Sequence, residues 1–302
     1  MATCQHILNL LDRFLPFQCV AAKDNTGLLI GDPAWPVTHI LVAVDLTEAV
    51  IAEAITQECD MILTHHHIMG KGIKRVTPQT FEGRAILSLI QHHISFCACH
   101  NNLDFLNGGT ADALMLAAGC QNSIPLYNGY AALATTPQET LATSIPVPQG
   151  EHTVSGLTAG FGRIGDLAEP CTLRQLIQRL QKVLTGPVHI VGEDTRMIRK
   201  AACQVGAGKH ADMDRTKALG ADVLITGDVC HDDRLYAAEL GICLLDFCHH
   251  EAELPGVLMM AKNLRDALEQ DGCGVSIHLS QAAAPVRHET MSPELDLSWF
   301  GL

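Results

Sequence analysis

The chain carries one short motif twice, at residues 59–65 (CDMILTH) and again at residues 221–227 (ADVLITG). Each copy places an Asp before three apolar residues and a Thr, which is typical of a buried strand entered through a turn. Each copy is followed by a stretch of helical period and by a second apolar run that ends in a histidine, at residues 94–100 (ISFCACH) and 244–249 (LLDFCH). We therefore predict an internally duplicated strand–helix–strand unit.

The rest of the 302-residue chain alternates short apolar runs with segments of helical period, which predicts an α/β protein. The candidate strands are residues 39–44, 61–63, 94–99, 188–191, 201–205, 223–225, 242–245 and 275–279. The candidate helices are residues 47–58, 80–92, 173–184 and 233–240, with Thr172 as an N-cap. We interpret residues 24–32 as a glycine-containing turn, and residues 120–154 and the tail after Leu279 as loop-like additions.

Each copy of the repeat ends in a histidine that is followed four residues later by a carboxylate. The pairs are His100 with Asp104 and His249 with Glu253. Four residues are about one helical turn, so both side chains of a pair can point the same way from a strand-to-helix junction. In open α/β sheets, ligands collect at the carboxyl ends of the strands. Polar residues can also terminate strands at a protein surface without any further role. For any single one of these residues that explanation is the better one, but for the whole set it is the weaker one.

Three adjacent histidines, residues 65–67, follow the first copy of the motif directly. Imidazoles bind zinc, manganese and iron, while carboxylates supply oxygen ligands and can bridge two ions. Such a set is sufficient for a dinuclear site with open coordination positions, which distinguish a catalytic site from a structural one. Asp45, Asp228 and His231 follow other strands and either reach this cleft or cap the next helix. Residues 205–209, which contain two glycines and follow another strand, offer backbone amides to an anion.

The predicted fold class is two α/β domains with a metal cleft between them at the carboxyl ends of the strands. We assign residues 1–124 together with residues 246–302 to a metal-binding α/β domain, and residues 125–245 to a second α/β domain. The length of the chain permits two domains.

Composition excludes several classes of function. A net charge of −13 opposes binding to nucleic acid, because phosphate backbones need clustered Lys and Arg. The chain has no run of about 18 apolar residues and no export signal, so we expect a cytoplasmic protein without a membrane contact. The 12 cysteines lie mostly in apolar stretches without a Cys-x-x-Cys pair, and we interpret them as reduced thiols rather than a thiolate zinc site.

Several motifs together resemble the GTP cyclohydrolase 1 type 2 homologues, the Nif-like dinuclear metal-centre proteins. They are residues 24–32 (DNTGLLIGD), 44–47 (VDLT), 64–66 (THH), 100–104 (HNNLD), 162–165 (GRIG), 225–228 (ITGD) and 249–253 (HHEAE). The resemblance runs in consistent order over most of the chain, so it is more specific than any single motif.

This resemblance implies a two-domain α/β subunit, a toroidal homohexamer and two divalent ions per subunit (Zn, Mn or Fe). The metal ligands it implies are His65, His66, Asp104, His249 and Glu253. It places His100 beside the ions rather than among their ligands. We take His100, together with His231 after the second copy of the motif, as the candidates for catalysis. The chain departs from the family pattern at His67, Cys248 and His250, where other residue types are usual, and Cys248 could add a soft ligand.

The resemblance further implies a metal-dependent hydrolase in which two ions activate one water, with a purine nucleotide or related small molecule as substrate. The alternative is a non-enzymatic, ring-shaped metal-binding scaffold or regulatory protein. Turnover of a nucleotide and phosphoester panel that is lost with chelator would discriminate the two.

Overall fold

The computed structural model describes residues 1–20, 24–69, 72–128 and 160–282. Within these residues the helices are α1 (Cys4–Asp12), α2 (Glu48–Thr56), α3 (Phe81–Gln91), α4 (Asn101–Phe105), α5 (Thr110–Ala118), α6 (Leu173–Leu180), α7 (His210–Ala218), α8 (His231–Leu240) and α9 (His249–Gln270). The strands are β1 (Ala2–Thr3), β2 (Gly27–Ile30), β3 (Pro36–Val37), β4 (His39–Ala43), β5 (Met61–Thr64), β6 (Ser95–Ala98), β7 (Cys120–Asn128), β8 (Gly160–Thr172), β9 (Val188–Val191), β10 (Met197–Gln204), β11 (Val223–Gly227), β12 (Cys243–Phe247) and β13 (Ser276–Leu279). None of the described helices is long and apolar enough to cross a bilayer.

A five-stranded sheet holds the first copy of the repeat. Its order is β13-β4-β5-β6-β2, in which the first four strands are parallel and β2 is antiparallel. The core strands β5 and β6 are buried at every residue, so a continuous apolar run is what this environment selects. The carboxyl ends of β5 and β6 are adjacent, with Thr64 paired to Ala98.

A six-stranded sheet holds the second copy of the repeat. Its order is β7-β8-β10-β11-β12-β9, with β10, β11 and β12 parallel and the outer strands antiparallel. The unit β11-α8-β12 therefore corresponds to β5-α3-β6, and the predicted α/β architecture with a duplicated unit is confirmed. Thr172 caps α6 as predicted, since its side chain accepts a hydrogen bond from the Gln175 amide. The predicted domain boundaries stay a prediction; the strands of this sheet run from Cys120 to Phe247.

Two of the loop predictions were wrong. Gly27–Ile30 is strand β2. Gly31, at φ +115°, follows the strand, and its Cβ position would lie 3.0 Å from the Ser95 Cα, so glycine is needed for the conformation and for close approach to β6. Cys120–Asn128 is strand β7, whose pairing with β8 shifts register between Gln121 and Ile124. That irregularity breaks the two-residue period by which a strand is recognised. The remainder of these loop predictions, residues 129–154 and 283–302, lies outside the described residues.

Helix α9 joins the two sheets. It begins at the end of β12, where Ala252 packs into the core of the six-stranded sheet. Further along, Val257, Met260 and Leu264 pack into the core of the five-stranded sheet. The first two turns of α9 therefore lie at the junction of the two units.

Helix α5 approaches α9 very closely at this junction. A Cβ on Gly256 would lie 2.4 Å from the Thr110 Cα, so only glycine permits the two backbones to approach this far. The other side of α5 is fixed by the buried Arg163 of β8, which donates to both carboxylate oxygens of Asp112 at 2.9 and 3.1 Å. These contacts fix α5 between the two units.

Candidate metal centre

The five predicted ligands come together where strands β5, β6 and β12 end. His65 and His66 follow β5, Asp104 lies on α4 after β6, and His249 and Glu253 lie one helical turn apart at the start of α9. The parallel arrangement of each unit brings the strand ends to one edge of its sheet, and α9 brings the two edges together.

The Glu253 carboxylate is the centre of this arrangement, and its residue is 2% exposed. Its Oε1 atom lies 2.9 Å from His249 Nε2 and 3.4 Å from His65 Nε2, while its Oε2 atom lies 3.1 Å from His66 Nε2. On the far side, His65 Nε2 lies 3.6 Å from Asp104 Oδ1. Three imidazoles therefore face one carboxylate.

The residues form two groups whose ligand atoms lie within 4.8 Å of one another. The inner group is His65, Asp104 and Glu253, and the outer group is His66, His249 and Glu253. Glu253 belongs to both groups, and a carboxylate with two oxygens is the side chain that can bridge two ions.

The Nδ1 atom of each of these histidines is held by a further group, which leaves Nε2 directed at Glu253. The partners are the Cys99 carbonyl for His65 (2.8 Å), Asp45 for His66 (2.7 Å) and Asp228 for His249 (2.8 Å). Asp104 in turn accepts a hydrogen bond of 2.6 Å from the Thr110 hydroxyl. Such outer partners fix the tautomer and orientation of metal-binding imidazoles.

Without bound metal, the carboxylates of the site favour protonated imidazoles at the positions where cations would bind. Burial alone lowers the pKa of His65, but the Asp104 and Glu253 carboxylates outweigh it and raise that pKa to about 9. Burial likewise lowers the pKa of His66, and Asp45 and Glu253 raise it to about 10. Burial raises the pKa of Glu253, yet the surrounding imidazoles, His65 foremost, hold it well below its usual range.

The site fits a divalent cation. Within the part of the chain that the structure describes, the buried His65 Nε2 atom has no hydrogen-bond partner, although two carboxylates lie 3.4 and 3.6 Å away. An ion among these atoms would satisfy the imidazole lone pair and both carboxylates at once, and it would replace the protons that hold the metal-free site together.

Two glycines that sequence reasoning did not assign to the site allow the backbone to approach the cluster. A Cβ on Gly206, at φ +86°, would lie 3.4 Å from Glu253 Oε1, and one on Gly227 would lie 2.6 Å from the Gly206 carbonyl oxygen. The glycine run 205–209 was the available signal, interpreted from the sequence as backbone amides that meet an anion. Gly206 instead lies at φ +86°, the left-handed backbone region that glycine adopts without steric cost.

Asp45 and Asp228, left open between the cleft and a helix cap, both reach the site. Asp45 accepts hydrogen bonds of 2.7 Å from His66 and from His250, whereas the N-cap of α2 is Thr47. Asp228 binds His249 from the left-handed backbone region, φ +47°, which Asp tolerates better than most residues.

The two candidate catalytic histidines lie in different surroundings. The His100 ring centroid lies 5.2 Å from that of His65, and its Nδ1 lies 2.5 Å from Asp24 Oδ1. His231 is the exposed first residue of α8 and belongs to none of the metal-capable groups found among the described residues. Their catalytic roles stay predictions.

A cleft of about 800 Å³ opens beside the outer group. His66 and His249 line it together with Cys248 and His250, two of the positions that depart from the family pattern. The cleft walls also carry two arginines, Arg84 and Arg234. Arg234 donates to the buried Asp246 at 2.6 and 2.8 Å.

A family model described as Duf34/NIF3 (NGG1p interacting factor 3) matches residues 2–285. The chain belongs to the DUF34/NIF3 family. The resemblance inferred from the sequence motifs is thereby confirmed.

Relatives in the DUF34/NIF3 family match along nearly their full length. The chain is 29% identical to the GTP cyclohydrolase 1 type 2 homolog of Clostridium acetobutylicum, over 91% of this chain and 94% of that protein. It is also 29% identical to the Protein NIF3 homolog of Schizosaccharomyces pombe, over 86% of this chain and 88% of that protein. The crystal structure of a Bacillus cereus protein related to NIF3 superposes with a TM-score of 0.80 at 23% identity, covering 95% of this chain and 99% of that one. This last likeness supports the same fold.

Proposed function

We propose that this protein is a metal-dependent hydrolase that holds one divalent ion in the inner group and a second in the outer group. The observation that carries the proposal is the position of Glu253, whose two oxygens face the imidazoles of both groups at 2.9 to 3.4 Å. A buried carboxylate shared in this way supports two ions held close together rather than two separate sites.

Two divalent ions in these groups would supply a water activated towards neutral pH and an electrophile for the substrate. The chain contributes the geometry. Asp45 and Asp228 fix the rings of His66 and His249 from behind, so neither imidazole needs to reorient when a ligand binds. The imidazole and carboxylate donors suit Zn, Mn or Fe.

The substrate we propose is a small molecule of the purine nucleotide class. The cleft, at about 800 Å³, lies in the usual range for small-molecule pockets and reaches the outer group directly. Arg84 and Arg234 also lie on its walls, where each pairs with an acidic residue of the same lining, Glu48 and Asp246 respectively, at 2.6 Å. The relatives named GTP cyclohydrolase 1 type 2 homolog support a purine nucleotide within that class.

The test is a panel of nucleotides, phosphoesters and amidines offered to the protein loaded in turn with zinc, manganese and iron. Turnover that disappears with chelator and in Glu253→Gln, but persists in His250→Gln, would support the hydrolase. The matched pair separates loss of the shared ligand from loss of a neighbouring histidine on the same helix. Absence of turnover by wild-type protein with every metal, despite two bound ions, would favour the non-enzymatic scaffold instead.

We further propose a ring-shaped homohexamer. Family resemblance supports it, and so does the exposure of large apolar side chains such as Leu116 at 65% and Ile124 at 62%, which a subunit contact would remove from water. Light scattering at micromolar concentration should give about six times the 32.5 kDa chain mass. A monomer mass would contradict the proposal. The cytoplasmic location and the absence of nucleic-acid and membrane partners stay predictions.

A further inference from the structure

A second cluster of potential ligands adjoins the centre already described. Asp24, His67 and His100, here called the Asp24 cluster, have ligand atoms within 4.8 Å of one another. The three residues come from different segments: Asp24 precedes β2, His67 follows β5 and His100 follows β6. Neither the inner nor the outer group uses any of them.

The Asp24 carboxylate directs one of its two oxygens into the cluster. Its side chain is 5% exposed. The Oδ2 atom accepts hydrogen bonds from the Thr26 hydroxyl at 2.5 Å and from the Asn101 amide at 3.2 Å. The Oδ1 atom instead faces two imidazoles, with His100 Nδ1 at 2.5 Å and His67 Nε2 at 3.6 Å. Hydrogen bonds to one oxygen thus direct the other into the cluster.

His67 is incompletely satisfied by the protein alone. Among the described residues its buried Nδ1 atom has no hydrogen-bond partner, and its Nε2 atom is 3.6 Å from Asp24 Oδ1, which is too long for a hydrogen bond. Ligand atoms around a tetrahedral ion with bonds of about 2.0–2.1 Å lie about 3.3 Å apart. The separation between His67 Nε2 and Asp24 Oδ1 is close to that value, whereas His100 Nδ1 and Asp24 Oδ1, at 2.5 Å, would move apart to bind the same ion.

His100 faces Asp24 through its Nδ1 atom, and it also forms a metal-capable group with His65 and His66. The Asn101 side-chain nitrogen lies 3.1 Å from His100 Nδ1, the same atom that faces Asp24 Oδ1. The His100 ring also packs edge-on to His67, with centroids 5.1 Å apart at 83°. A shared ion would hold the two imidazoles in this mutual orientation.

We propose that Asp24, His67 and His100 bind a third divalent cation, separate from the two held around Glu253. Two imidazoles and one carboxylate form a donor set that zinc accepts with a remaining position for water. The ion would connect the segments before β2, after β5 and after β6, and so stabilise the edge of the five-stranded sheet where the inner group is built. The inference goes beyond the hydrolase proposal and does not require catalysis.

The test counts zinc by elemental analysis after loading and gel filtration. Wild-type protein should retain three equivalents and His67→Asn two, with Asp24→Asn as a second variant that should also retain two. His6→Asn is the matched control and should retain three, because His6 pairs with Asp271 at 2.8 Å in a His–carboxylate contact outside the cluster. The melting temperature should rise less with zinc in His67→Asn than in His6→Asn.

Glu253→Gln separates this inference from the proposed function. If it retains one ion, and His67→Asn in the same background retains none, the third site stands independently of the Glu253 centre. If Glu253→Gln retains as many ions as wild type while His67→Asn loses one, the dinuclear proposal fails and the third site stands. If His67→Asn and Asp24→Asn, folded by circular dichroism, both bind as many ions as wild type, the third site is refuted.

Discussion

Replacing Glu253 with Gln removes the one carboxylate that the inner and outer groups share while keeping nearly the same side-chain volume. Both ions lose a direct ligand. Under the loading conditions that saturate the wild-type protein, the variant should therefore bind fewer ions in the inner and outer groups than the wild type does. Removing an outer partner of a ligand typically costs about 10- to 100-fold in affinity, which is about 1.4 to 2.7 kcal/mol. Loss of a shared direct ligand should exceed the upper end of that range for each ion.

The structure predicts a graded series around this variant. Asp45→Asn alters the group that holds His66 Nδ1 at 2.7 Å, so it should weaken the outer ion by about 10- to 100-fold. His250→Gln reaches the outer ion only through Asp45, which it also contacts at 2.7 Å, and should cost less than about 10-fold. The expected loss of affinity decreases from Glu253→Gln to Asp45→Asn to His250→Gln. Glu253 binds the ion directly, Asp45 acts through His66, and His250 acts through Asp45.

Competition titration against a chromophoric zinc chelator measures these affinities, and elemental analysis gives the stoichiometry. In metal-free Glu253→Gln, histidine NMR should also show the pKa values of His65 and His66 falling from about 9 and about 10, because Glu253 helps to raise both. Unchanged zinc affinity in Glu253→Gln, or a larger loss in His250→Gln, would refute the shared-carboxylate arrangement.

Three further predictions concern pH, packing and His100. The raised pKa of His65 stabilises the metal-free fold by about 3 kcal/mol, fully below the ordinary pKa of 6.5, and this stabilisation is lost as pH rises through about 9. Urea denaturation across this pH window should show the loss of stability. Saturating zinc should abolish this pH dependence. Gly256→Ala should destabilise the fold by about 1–3 kcal/mol or more, because its Cβ would lie 2.4 Å from the Thr110 Cα. Gly274→Ala is the control and should be nearly neutral in the same denaturation experiment, because a Cβ on Gly274 meets none of the described atoms within 4 Å. His100→Ala should retain the two Glu253 ions at saturating zinc but bind them more weakly, by about 10- to 100-fold; loss of either of those ions in zinc titration would make His100 one of their direct ligands.

Local sequence patterns were sufficient to predict the architecture and the residues at the strand ends. Parallel strand–helix–strand units bring their carboxyl ends to one edge by geometry alone, so His65, His66 and Asp104 were expected together. The spacing of His249 and Glu253 is also local, because one helical turn separates them on α9. For these residues, the sequence neighbourhood already contains the physical cause of the contact.

The tertiary structure alone decided which atoms meet. Asp45 lies 205 residues from His250 and Asp24 lies 76 residues from His100, and no local periodicity relates either pair. Gly227 and Gly256 were not assigned close contacts from the sequence, because a glycine required for close approach has the same letter as one in a turn. The sequence determined the strand ends and the kinds of ligand. The packing of α9 between the two sheets determined that Glu253 belongs to both the inner and the outer group, because this position depends on backbones that touch only in the folded chain.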